Sequence, residues 1–149
     1  MREHTLVVIE DNDEDFDAFV RALRDARRRH RIRRFTSGDE ALAHLGRTSP
    51  GGAGDAALPA LILLDLNLPG TDGREVLARI KRDPRLRRIP VIVNTHSSHP
   101  SDVEACYDNG ANSYMVKSME FERYQRDIRL MAEYWLEAAI VPANMEGPH

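Results

Sequence analysis

At 149 residues, with 42% hydrophobic and 30% charged side chains, the chain suits one soluble globular domain of ordinary size. A net charge of −3 argues against nucleic acid or an acidic membrane as a partner, and the single cysteine, Cys106, excludes an intrachain disulfide or a cysteine-built metal site. No apolar segment is long enough to span a bilayer and the first residues lack a signal-peptide pattern, so a cytoplasmic location is expected.

Thr5 to Ile9 reads as a buried strand that ends in the acidic run Glu10 to Asp15. Apolar residues return at Phe16, Phe19, Val20 and Leu23, the spacing of a helix face, with Asp13 as the expected N-cap. From Arg27 to Arg34 the chain is rich in arginine, with Ile32 and Phe35 alternating through a short strand; a solvated basic face is expected. Ser37-Gly38-Asp39-Glu40 is a capping box for a second helix. Gly, Ser, Pro and Ala then dominate from Arg47 to Pro59, which predicts a mobile surface loop inside one domain.

Leu61-Ile62-Leu63-Leu64-Asp65 is apolar on both faces, as a central strand of a covered parallel sheet must be, and it delivers one carboxylate to its end. A helix follows Asp72-Gly73, with Val76, Leu77 and Ile80 as its buried face, and Pro84 ends it. Ile89 to Val93 is another buried strand, leading into Asn94-Thr95-His96. Ser101-Asp102-Val103-Glu104 is expected to cap the next helix, which stops at Asn109-Gly110. Ser113 to Val116 is a last strand that ends at Lys117, and the final helix runs from about Glu120 past Trp135. Five β-α repeats with right-handed crossovers predict an α/β fold, a doubly wound five-stranded parallel sheet with helices on both faces.

In such a sheet the carboxyl ends of the strands share one rim, where the crevice for chemistry forms. Glu10 and Asp11, Asp65, Thr95 and Lys117 all fall there. Two carboxylates about 4 Å apart repel by roughly 4 kcal/mol at an effective dielectric near 20, so three of them call for positive charge. Lys117 supplies one charge and a divalent cation the rest. Hard oxygen donors select Mg²⁺ or a close relative such as Mn²⁺, which keeps several waters and awaits a phosphate oxygen. So neutralised, Asp65 becomes a nucleophile toward a phosphoryl group, with Thr95 as a hydrogen-bond donor to it.

Glu10-Asp11, Asp65, Thr95, Tyr114 and Lys117 stand in the order and spacing of the receiver domain of two-component response regulators, which the sequence resembles from about Leu6 to Tyr134. The resemblance implies the flavodoxin-like strand order 2-1-3-4-5 and phosphotransfer from a histidine kinase to Asp65. It implies that Asp11 and Asp65 bind the metal directly, that Asn67 offers its backbone carbonyl and that Glu10 acts mostly through water. Thr95 and Tyr114 look like the switch pair that follows the phosphate. Asp65 to Pro69, Asp72 to Leu77, Gly110 to Tyr114 and Glu133 to Leu136 are similar to the small receivers paired with bacterial phytochromes, which makes a phytochrome the expected kinase.

Three positions depart from the family pattern. His96 stands where a small residue follows the switch threonine, and it is expected to modulate phosphoryl lifetime. Ser118 replaces a proline held cis, so Lys117-Ser118 is either cis, at a cost of about 2.5–4 kcal/mol, or trans with a changed approach of Lys117. Thr71 replaces an apolar residue and is expected to loosen its loop. A receiver unit over residues 1–136 and an extension over 137–149 are expected, with no output module. The segment Tyr134 to Val141 is apolar nearly all round, which predicts a two-fold homodimer through the last helix and extension, with folding back as the alternative. The rival to a phosphorylated switch is a receiver-like scaffold that works without phosphate. A flavin would be repelled by Glu10 to Asp15, and a hydrolase lacks a nucleophile elbow.

Overall fold

The computed structural model describes residues 4–24 and 30–145. Five strands, β1 (His4–Ile9), β2 (His30–Phe35), β3 (Leu61–Leu64), β4 (Val91–Thr95) and β5 (Ser113–Val116), form one sheet in the order β2-β1-β3-β4-β5. Every pairing is parallel. Five helices alternate with them: α1 (Asp13–Leu23), α2 (Gly38–Leu45), α3 (Gly73–Arg82), α4 (Pro100–Asp108) and α5 (Phe121–Ala132). This is the flavodoxin-like arrangement that the five β-α repeats predict.

The unbroken apolar strands are explained by two cores, one on each face. Because side chains alternate along a strand, Val7, Ile9, Ile62, Leu64, Val91 and Val93 meet α2, α3 and α4. Leu6, Val8, Leu61, Leu63 and Ile92 meet α1 and α5. Cys106 is one of the buried residues of the first core, a packed thiol. The central strands β3 and β4 are buried along their whole length, whereas β2 at the edge carries Arg31, Arg33 and Arg34. Charged side chains on an edge strand discourage pairing with another sheet.

Local signals mostly sit where the sequence places them. Ser37 Oγ accepts from the Glu40 amide at 3.2 Å and caps α2, and Asp72 caps α3. Two caps differ. Asn12, not Asp13, caps α1, since its Oδ1 lies 2.9 Å from the Asp15 amide. α4 starts at Pro100, one residue before the expected capping box, because proline suits the first helical position, where no N–H partner is needed. β4 is also shifted by two residues, beginning after Pro90 and running out to Thr95.

The loop from Arg47 to Pro59 is more ordered than its composition suggests. Asp55 pairs with Arg33 at 2.6 Å and Arg31 at 3.4 Å, Ser49 and Ala57 form a bridge, and Thr48 is fully buried. Part of the basic segment, residues 27–29, lies outside the described residues.

The C-terminal segment does not present all of its apolar surface outward. After α5 the chain continues as a π-helical segment, Glu133–Ala138, and then turns back on its own fold. Leu136 packs into the core beneath α1 and α5, and Val141 is buried beside Leu58, Ile89 and Pro90 at the amino ends of β3 and β4. Folding back thus accounts for Leu136 and Val141. Leu130, Tyr134 and Ile140 stay exposed.

Candidate functional site: a charge cluster at the carboxyl rim

Register carries the strand ends to one place: Ile9 pairs with both Phe35 and Leu64, Leu64 with Val93, and Thr95 with Val116. The backbone ladder runs one residue further. The amides of Glu10, Asp65 and Lys117 donate to Phe35, Ile9 and Thr95 carbonyls at 2.9, 3.0 and 2.7 Å. These three side chains therefore start from fixed positions. Behind Asp65, α3 begins so close to the strand that a Cβ on Gly73 would collide with the Asp65 carbonyl and stand 2.5 Å from Leu66 Cα. Only glycine allows that approach.

Lys117 is the centre of the site. Its ammonium donates to Glu10, to Asp15 at 2.9 Å and to Asp65 at 3.1 Å, so all three protons are used. Glu10, Asp65 and Lys117 are each no more than 7% exposed. Oxygens of Glu10, Asp15 and Asp65 lie within 4.8 Å of one another. One ammonium against three carboxylates leaves the cluster negative.

The titration directions follow. Burial raises Glu10 to about 7; Lys117 opposes this and Asp65 adds to it. Burial alone would lower Lys117, but Glu10, Asp65 and Asp15 outweigh it and hold the ammonium well above its ordinary range. Burial works to raise Asp15 as well, and hydrogen bonds from Lys117 and His96 bring it below the usual carboxylate range.

The remaining predicted residues divide. Thr95 is fully buried at the rim and its hydroxyl has no hydrogen-bond partner among the described residues. Tyr114 is half-buried and its hydroxyl donates to the Ser97 carbonyl at 2.8 Å, two residues past Thr95. The same loop is tied by Ser97 Oγ to Asp102 at 2.6 Å, and Asp102 is paired in turn with Arg74 of α3. Asn67 donates its amide to Asp65 Oδ1 at 3.3 Å. Asp11 is exposed and is not one of the clustered acids; Asp15 takes that place. His96 is exposed but turned toward the site, with Nε2 3.1 Å from Asp15 Oδ2. The Lys117-Ser118 peptide is trans, and Ser118 Oγ accepts from the Glu120 amide at 3.1 Å. Thr71 does not loosen its loop: its hydroxyl donates to Asp39 and ties the loop to α2.

Two contributors were not singled out by the sequence reading. Asp15 looked like one more helix-start acid among six consecutive polar residues. Arg34 looked like part of a solvated basic strand. Its Nε in fact donates to the Glu10 carbonyl at 3.0 Å, its guanidinium pairs with Asp13 at 2.8 Å, and it lies 4.5 Å over the Phe16 ring. The opposite charges on β2 and the acidic turn are the signal that could have found it.

The model of the response regulator receiver domain matches residues 6–129. The chain belongs to the response regulator receiver family. Among its relatives, a protein named as the probable methanogenesis regulator FilR2 of Methanothrix harundinacea is 40% identical over 131 residues, 88% of this chain and 83% of that one. Response regulator Rcp1 of Synechocystis is 37% identical over 93% of this receiver and 92% of Rcp1. A solved structure of phosphorylated cyanobacterial phytochrome response regulator RcpA superposes with a TM-score of 0.85 at 37% identity, covering 95% of this chain and 99% of that one. The Mn²⁺-bound form of Rcp1 gives 0.83 at 36% identity, covering 93% and 99%.

The raised carboxyl of Glu10 has a definite effect on metal-free stability. Its folded pKa of about 7 lies above the ordinary carboxyl value of 4.5, so the folded receiver keeps a proton that the unfolded chain has lost. Between those pH values the native state binds more protons, and stability falls as pH rises. In EDTA the denaturant midpoint of the wild type should drop from pH 5 to pH 8, and Glu10→Gln should remove much of that drop. Parallel midpoint curves for the two proteins would show that Glu10 is not the titrating group.

Proposed function

We propose that this receiver is a phosphorylation switch that takes a phosphoryl group from a histidine kinase onto Asp65, in a reaction that requires Mg²⁺ or Mn²⁺. The observation that carries it is the buried Asp65 carboxylate 3.1 Å from the Lys117 ammonium, with a buried Thr95 hydroxyl at the same rim that lacks a partner among the described residues. A buried polar group without a partner costs of order 1–3 kcal/mol, which an arriving phosphoryl oxygen relieves.

In the transfer, an Asp65 oxygen attacks phosphorus as the P–N bond of phosphohistidine breaks, and the imidazole leaves with the bonding electrons. Lys117 moves its charge from the carboxylates to a phosphoryl oxygen, and Thr95 donates its hydroxyl proton to another. The clustered oxygens of Glu10, Asp15 and Asp65 are hard donors that would fit a divalent cation, and Asp11 and the Asn67 carbonyl are the further oxygens that the family resemblance assigns to it. Such an ion supplies charge neutralisation of the phosphoryl group as it arrives. As Thr95 moves toward the phosphate it draws on the loop that Tyr114 holds through the Ser97 carbonyl, so Tyr114 is the second half of the switch.

The kinase is proposed to be a phytochrome acting in the cytoplasm. Support comes from RcpA, a phytochrome response regulator that is 37% identical to this chain over nearly its whole length. Output passes through protein contacts. Leu130 and Tyr134, one helical turn apart at 58% and 57% exposure, together with Ile140 at 79%, are the apolar residues offered to a second copy.

Incubation with phosphoramidate and Mg²⁺, followed by intact-mass analysis, tests the acceptor. One added phosphoryl group in the wild type and none in Asp65→Asn is expected; no addition to the wild type would favour a scaffold. Light scattering at tens of micromolar tests the assembly. The wild type should have a dimer's mass and Leu130→Glu/Tyr134→Glu a monomer's, and a monomeric wild type would contradict the homodimer.

A further inference from the structure

The amino rim of the sheet, opposite Lys117, carries a hollow of about 510 Å³, within the range of roughly 300–1,000 Å³ that holds small organic ligands. Leu58 and Pro59 enter it from the turn before β3, and Ile89 and Pro90 from the turn before β4. The C-terminal extension closes one side with Ile140, Val141 and Pro142. Val141 is only 1% exposed, so this wall is anchored in the fold. Five of the twelve lining residues are prolines, which have a fixed φ and no amide proton, so the walls are stiff and poor in backbone donors. Only two charged side chains line the hollow, and both are arginines. Arg85 is engaged: its Nη1 donates to the Gly46 carbonyl at 3.3 Å, and its Nη2 lies 3.6 Å from Asp83. The Arg88 side chain has no hydrogen-bond or ion-pair partner among the described residues. Its backbone is nevertheless held from both sides, since Lys81 Nζ donates to the Arg87 carbonyl at 3.0 Å and the Ile89 carbonyl at 2.7 Å. A fixed segment thus presents an unpaired guanidinium to an apolar hollow with no acid in its walls.

We propose that this hollow is a ligand site for a free medium-chain aliphatic carboxylate, with the chain among the prolines and the head group paired with Arg88. The lining calls for an apolar body, and two arginines with no acid call for a negative charge. One free guanidinium balances a monoanion, and its planar fork matches a carboxylate with two parallel hydrogen bonds. A dianionic phosphate head would need a second free cation, and Arg85 is already occupied. The site is independent of phosphotransfer, because Asp65 stands at the opposite rim. Since Ile140 to Pro142 form one wall, a bound chain fixes the extension against the turn before β4.

Calorimetric titration of the full chain with sodium decanoate, below its micellar concentration, tests the site. Decyltrimethylammonium, which reverses the charge, and butyrate, which lacks the chain, serve as controls. One decanoate per chain is expected, with either control bound more weakly by roughly tenfold or more. Amide NMR shifts should gather at Ile89, Ile140 and Val141. Arg88→Gln should weaken decanoate by roughly fivefold or more, and Arg88→Lys should restore part of the loss. Arg88 is exposed, so neither change disturbs the core. Absence of decanoate binding would overturn the proposal, as would equal binding of the cationic probe or an unchanged affinity in Arg88→Gln. Several decanoates per chain, or shifts gathered at Leu130 and Tyr134, would mean unspecific adsorption and overturn it too. Ile140 also belongs to the surface offered to a second copy. Decanoate affinity that falls as protein concentration rises would therefore assign the hollow to that copy and not to a carboxylate.

Discussion

Lys117 holds the site together by being shared. A buried ammonium surrounded by three carboxylates is stable only because each proton has an acceptor, and the acids tolerate one another only because the ammonium lies between them. The charge does not balance, and the imbalance leaves the rim suited to a cation. A proton retained on Glu10 makes up part of the deficit in the metal-free state, and a divalent cation would bring positive charge to the same position. The sheet makes this possible by fixing the backbone of Glu10, Asp65 and Lys117 through ladder hydrogen bonds. The acids cannot relax apart as they would on a loop.

The same fixed rim connects to movable parts. Thr95 ends β4 with a hydroxyl that has no partner among the described residues, and the loop after it is gripped from three directions: by Asp15 through His96, by Tyr114 through the Ser97 carbonyl, and by Arg74 through Asp102 and Ser97. A shift of Thr95 would therefore be felt in α1, β5 and α3 together. Arg34 works on the opposite side, tying the Glu10 carbonyl and Asp13 to β2 so that the acidic turn stays in register with the strand beside it.

The strands and their order were legible because buried parallel strands must be apolar on both faces, and the strand-end residues were legible because a parallel sheet brings them to one edge. Contacts formed by side chains from distant elements were not. Asp15 carries no periodic signal, since an acid in a first helical turn already has a reason to be there. Thr71 looked out of place until its partner on α2, Asp39, was known. The C-terminal apolar run calls for cover from a second chain or from its own fold; a π-helical turn directs Leu136 and Val141 into their own fold, a change of phase that periodicity at 3.6 residues does not foresee. Asp11, the acid that the family resemblance ranks with Asp65, lies outside the cluster, whereas Asp15 lies within it.

If the rim is a charge deficit waiting for a cation, binding of that cation must expel a proton. Calorimetric titration of the receiver with Mg²⁺, repeated in buffers of different ionisation enthalpy between pH 6 and pH 8, measures both events. One ion should bind per chain, with affinity that rises with pH and a fraction of a proton released near pH 7, and all of these should weaken in Asp65→Asn. Binding that is independent of pH and of Asp65, or no binding at all, would contradict it.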